Sequence, residues 1–152
     1  MEKERLILLK GEIEGQTKEI EKIYLRIEER RVTKESSNLE SLAYQLHNLY
    51  CAFEDLFKTV ADYFENNIDE KKRYHRELLR RMSISIEGIR PAFVSEESHK
   101  LLDSLRAFRH FFRHAYTYEL DPKKVNLVLE DGLKLKSLYL EDIKIFLQKL
   151  GA

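Results

Sequence analysis

The stretch LLDSLRAFRHFFRHAYTYELD, Leu101–Asp121, sets three arginines and two histidines into an apolar background of helical spacing, and the fold is read outward from it. Wound at about 100° per residue with Arg109 at zero, the polar residues Arg109, Arg113, Arg106, Thr117, His110, Asp103 and His114 spread over roughly 140° of the wheel. Within that arc only Leu102 and Leu120, towards the two ends of the stretch, are apolar. The remaining arc carries Leu101, Leu105, Phe108, Phe111, Phe112, Tyr116 and Tyr118. The pattern predicts an amphipathic helix ending near Glu119, its aromatic side in a core and its cationic, imidazole-bearing side toward water or a polar cleft. Arg109 and Tyr116 stand nearly in line at one edge of the polar arc, His114 at the other. Such a helix buries its apolar face only against other helices, and the predicted fold is all-α.

The spacing of Arg109, His114 and Tyr116 resembles the R-x4-H-x-Y motif of HepT-like toxins, members of the HEPN superfamily of small helical ribonucleases. The LYCAFEDLFKTVADYFEN stretch, the YHRELLRRM helix, the GIRP turn and the ELDP boundary fit the same family in the same order, over roughly residues 37 to 150. The resemblance implies an up-and-down bundle, a homodimer, and metal-independent endoribonuclease activity with Arg109 and His114 as the catalytic pair. It further implies a type VII toxin-antitoxin pairing, in which an MntA-type nucleotidyltransferase antitoxin adenylylates Tyr116 and blocks the ribonuclease. No cofactor is implied.

The chemistry of these side chains agrees with such an activity. RNA is cleaved without metal when a base removes the 2′-hydroxyl proton, an acid protonates the leaving 5′-oxygen and cations hold the pentacoordinate phosphate. An imidazole titrating near 6.5 serves for proton transfer, whereas a guanidinium stays charged and matches phosphate oxygens bidentately. Arg109 is therefore expected to stabilise and His114 to shuttle, with Arg113, His110 and Arg106 as candidate RNA or phosphate contacts. On one helix Arg109 and His114 point about 140° apart, which is wide for one phosphate and favours a site built from two copies of the helix. His110 and His114 have the i, i+4 spacing of a helical metal pair, but no glutamate stands between them as in H-E-x-x-H and no third ligand is apparent, so no metal is assigned. Two other readings stay open: a catalytically silent HEPN domain that positions a nucleotidyltransferase, and a helical adaptor that binds RNA on its basic faces without cutting.

Bulk properties bound the rest. A chain of 152 residues, 43% hydrophobic and 36% charged with five glycines and two prolines, suits one helical domain, residues 1–152, and argues against disorder or a turn-rich β fold. Its formal net charge is zero, so any RNA affinity must come from local patches. The single cysteine, Cys51, excludes an intrachain disulfide and suits a reducing cytoplasm; with no basic partner evident nearby it reads as an inert thiol packed against a neighbouring helix. The apolar run before Lys10 is too short for a signal-peptide core or a membrane span.

Elsewhere, apolar residues at helical spacing from Leu6 to Ile27 predict a long charged helix over about 3–31, weakened by Gly11 and Gly15. A second helix is expected from an N-cap at Ser37 or Asn38 to about Glu65, with a broad apolar stripe fit for the bundle centre and His47 at its boundary. Glu54 and Asp55 point about 100° apart, so at least one is expected in solvent. A third helix, about Glu70 to Ser83, carries Lys72, Arg73, Arg76, Arg80 and Arg81 on one side, a solvated face or a track for phosphates; His75 falls on its apolar side. Gly88–Pro91 stops any helix before it, and Ser95 with Glu96 and Glu97 starts the motif helix. Asp121 and Pro122 start the last helix, about Val125 to Leu150, in which Gly132 is expected to mark a bend. Four or five helices joined by short connections make an up-and-down bundle.

Overall fold

The computed structural model describes residues 2–31, 36–65, 74–116 and 119–152. These form α1 (Lys3–Arg30), α2 (Ser36–Phe64), α3 (Tyr74–Met82), α4 (Glu96–Arg113), α5 (Pro122–Lys136) and α6 (Tyr139–Leu150). The all-α bundle is as expected, with one difference: the final helix is two, so the described residues hold six helical segments. The expected break at Asn66–Asp69, the start of α3 at Glu70 with Lys72 and Arg73, and the core position of Tyr118 lie outside the described residues.

The pairs α1/α2, α2/α4 and α4/α5 run antiparallel, as their cross-links show. On α1 and α2, Arg5 donates to the carbonyl of Tyr63 at 3.2 Å, Gln16 to that of Ala52 at 2.8 Å, and Arg30 to the Ser41 hydroxyl at 2.6 Å, so one number rises as the other falls. On α2 and α4, Cys51 meets Arg109 and His47 meets Phe112; on α4 and α5, Ser104 meets Asp131 and Phe111 lies under Lys124. Leu46, Leu49, Tyr50, Phe53, Leu56, Phe57 and Val60 make α2 the central member, buried within one continuous apolar core. Gly11 and Gly15 remain inside the unbroken α1, whose Leu9, Ile13, Ile20, Ile23, Tyr24 and Ile27 are buried.

Gly132 is not a bend. It is buried mid-helix in α5, its carbonyl accepting from Tyr24 at 2.8 Å. The break comes at Ser137 and Leu138, where the Ser137 hydroxyl donates to the Lys134 carbonyl at 2.8 Å. Beyond it Tyr139 packs edge-on against Phe53, ring centroids 5.0 Å apart, and its hydroxyl donates to Glu21.

The segment after α3 is held by Arg90. Gly88 takes φ 78°, Ile86 and Arg90 form an isolated antiparallel bridge, and the buried Arg90 guanidinium reaches Glu65 and the carbonyls of Arg81, Ile84 and Pro91. The backbone N–H groups of Phe93 and Val94 then donate to the Met82 carbonyl at 2.8 and 3.0 Å, delivering the chain to α4. Ser95 caps α4 as expected, accepting from the Ser98 N–H at 3.2 Å, and Asp121 caps α5 by accepting from Lys123 at 3.0 Å. Among the described residues no helix is long and apolar enough to cross a membrane.

Candidate functional site

Two differences from the sequence-based expectation shape the motif region. First, α4 ends at Arg113, with His114 as its C-cap, rather than near Glu119. The N–H of His114 bonds to Phe111 at 3.1 Å and that of Ala115 to Phe112 at 3.3 Å, a tightened last turn. The next three residues in the sequence, Tyr116, Thr117 and Tyr118, are aromatic or β-branched types that lose rotamer freedom in a helix. Tyr116 is consequently not in line with Arg109 on a helix: it stands 88% exposed past the helix end.

Second, Arg109 is not on the solvent side. Its residue exposure is 9%, and its Nε donates to the Cys51 sulfur on α2 at 3.4 Å. The buried side of α4 comprises Ser98, Leu102, Leu105 and Phe108, and it extends across the wheel to include Arg109. Cys51 thus packs against a neighbouring helix as expected, but the basic partner that the sequence left unseen is there, contributed by α4.

Beside this contact lies a residue that sequence reasoning set aside. The half-buried His47, one turn before Cys51 on α2, places Nε2 3.8 Å from the thiol and Nδ1 3.2 Å from Oδ1 of Asn48. Its ring lies 5.4 Å from that of Phe112 and 6.2 Å from that of Tyr44. Burial holds the imidazole below its ordinary pKa; the bond to Asn48 opposes this, and the positive charges of Arg109 and Arg113 reinforce it. His47 is therefore mostly neutral at pH 7. The i, i+4 pairing of His47 with Cys51 is the signal that could have drawn notice in the sequence.

The other candidates divide between solvent and internal pairing. His110, Arg113 and His114 are exposed, and the two imidazoles lie with ring centroids 4.7 Å apart, as i, i+4 neighbours should. Arg106, its side chain only 14% exposed, is tied to Asp103 at 2.8 Å and is a weaker candidate for RNA than a free surface charge. No group of three or more metal-ligating side chains is present among the described residues. Phe112, Arg113, Ala115, Tyr116 and Leu120 line a groove of about 640 Å³ with Leu39 and Glu40 at the start of α2.

In the described part of the basic run of α3, Arg80 and Arg81 are committed within the molecule. Arg80 pairs with Glu77 at 2.7 Å, and Arg81 bridges Glu77 at 3.6 Å and Glu65 at 3.2 Å. Of the adjacent carboxylates, Asp55 is exposed, as expected for one of them, while Glu54 is buried and bonds the half-exposed His75 at 2.7 Å. Burial and the negative charge of Glu54 push the hydroxyl of Tyr50 well above its ordinary pKa, leaving it a neutral core group beneath the motif helix.

An antiparallel helical bundle with a guanidinium-and-imidazole cluster on its central seam is the class of protein that fold and site define. Residues 41–150 match the family of HepT-like proteins, and the chain belongs to that family. No curated protein and no solved structure matches it.

Proposed function

We propose that the chain is a metal-independent endoribonuclease toxin of a type VII HEPN/MNT pair, active as a homodimer and neutralised when an MntA-type nucleotidyltransferase adenylylates Tyr116. The carrying observation is that buried Arg109 shares the seam with the neutral imidazole of His47, which the charges of Arg109 and Arg113 both act on, while His110 and His114 stand together at the exposed end of the same helix, a set suited to holding a phosphate and moving protons without metal. The exposure of Tyr116 supports the regulatory half. Its hydroxyl is open to an enzyme, and an AMP placed there would add a bulky anion at the rim of the groove that Arg113 lines.

Expression of the chain alone tests the catalytic half. Growth arrest with cleaved RNA is expected, undiminished by EDTA in vitro, and lost in Arg109→Ala and His114→Ala. Should both variants stay as active as wild type, the ribonuclease assignment is wrong. For regulation, co-expression with an MntA-type nucleotidyltransferase should add one or more AMP masses mapping to Tyr116, and Tyr116→Phe should remain toxic yet unmodified.

The burial of Arg109 favours a second reading, a catalytically silent domain that positions the nucleotidyltransferase, because an arginine bonded within the seam can serve packing alone. Binding of the nucleotidyltransferase without toxicity on solo expression would select it.

A further inference from the structure

We propose that His47 is the general base of the RNA-cleaving site, its Nε2 taking the 2′-hydroxyl proton of the nucleotide whose phosphate Arg109 and Arg113 hold. This rests on the ribonuclease reading and adds to it a residue from a different helix. The geometry of α2 and α4 carries it. Arg109 turns away from the exposed His110 and His114 toward Cys51, and the imidazole found there is that of His47. A base must stand by the cation that holds the phosphate, and on this chain His47 does.

The hydrogen bonds of His47 fix its chemistry. The amide oxygen of Asn48 accepts only, so the proton of the neutral ring sits on Nδ1 and the lone pair is on Nε2. That lone pair faces the Cys51 thiol at 3.8 Å, a weak contact that a substrate hydroxyl at an ordinary O–H···N distance would replace. The charged and titratable groups facing His47 are Tyr44 and Cys51 on its own helix and Arg109 and Arg113 on α4. Both arginines favour the unprotonated ring, the state a base requires. Cys51 is not itself the nucleophile in this arrangement. It lies mid-helix, where backbone N–H groups are bonded along α2 and offer no oxyanion hole.

In the step proposed, Nε2 of His47 accepts the proton of the 2′-hydroxyl as O2′ forms its bond to phosphorus. The bond from phosphorus to O5′ breaks, and O5′ takes a proton from the imidazolium of His114. The products are a 2′,3′-cyclic phosphate and a free 5′-hydroxyl. His47 then carries the proton and His114 lacks one, and exchange with water resets both.

The test measures kcat, KM and their pH dependence for the full chain on a mixed-sequence single-stranded RNA. For His47→Gln at pH 7, kcat should fall by roughly 100-fold or more with KM changed less than about twofold, and the acid limb of the wild-type profile should vanish. Imidazole added to His47→Ala should restore part of the rate, which a packing role would not allow. The ring of wild-type His47, followed by NMR, should titrate below 6.5 and move upward when inorganic phosphate binds between the two arginines. Wild-type cleavage with His47→Gln retaining more than about a third of kcat, or an unmoved titration at saturating phosphate, overturns the role of His47 and leaves the ribonuclease reading standing. A wild-type protein that cuts no RNA overturns both.

Discussion

An arginine buried as deeply as Arg109 serves the seam as well as any substrate, and its removal should register in stability. Arg109→Ala takes away packing along the aliphatic stem and the contact to Cys51, and should cost about 1–3 kcal/mol, a melting temperature lower by several degrees. His114→Ala, at an exposed C-cap, should stay within about 0.5 kcal/mol of wild type. Calorimetry on the two variants checks this; equal melting temperatures would place Arg109 outside the packed seam. The contrast was half-legible in the sequence. Arg109 lies about 20° from Leu102 on the wheel, and Leu102 was the apolar residue intruding at that edge of the polar arc. Its complete burial marks the edge as covered. Residue type alone argued the other way, since arginines are mostly exposed. The meeting of His47 with Arg109 is illegible for a different reason: nothing along α2 indicates which residues of α4 will lie opposite.

At the scale of the element, periodicity located the helices and punctuation decided where they stop. Ser95 and Asp121 are capping residues, and the starts of α4 and α5 were legible from them. The end of α4 was not, because no glycine or proline follows Arg113 until Pro122. Nor was the split between α5 and α6: Val128, Leu135, Tyr139, Ile143 and Phe146 keep helical spacing straight through Ser137 and Leu138. Gly132 misled by being a glycine. A Cβ built there would meet Leu49, Leu46 and Leu105 side chains at 3.6, 3.7 and 3.8 Å, ordinary contact distances. Gly132→Ala should therefore stabilise the protein by about 1 kcal/mol through helix propensity, read as a higher urea midpoint at unchanged slope. A loss of stability would show that α5 packs closer than these distances. The opposite sign is expected at Arg90. Removing its buried guanidinium strands Glu65, which Arg81 pairs with on one side only, and Arg90→Ala should cost about 3 kcal/mol or more on the same measurement.

For the whole molecule, zero net charge means that the RNA of the proposed reaction would have to be met locally, and the local arrangement faces two ways. Arg109 turns inward to α2, while His114, at the C-cap, meets His110 of the last turn in solvent. The separation of about 140° read from the wheel thus becomes a separation between seam and surface. For one phosphate to meet the guanidinium of Arg109 and the imidazolium of His114, a second chain has to bring its own His114 to the seam of the first. A two-fold dimer does this twice, each site taking Arg109, Arg113 and His47 from one chain and His114 from the other. The expected outcome is a dimer by light scattering, and complementation between two dead variants. When Arg109→Ala and His114→Ala are mixed and allowed to exchange, half the dimers are hybrids and each hybrid has one intact site, so about a quarter of wild-type activity should return. Replacing the His114→Ala chain in that mixture by a His47→Gln, His114→Ala double variant puts the His47 lesion into the otherwise intact site, and the recovered activity should disappear. A silent mixture whose hybrids are verified by mass would instead place Arg109 and His114 of one chain in the same site, and would require the segment after Arg113 to fold back toward the seam when RNA binds.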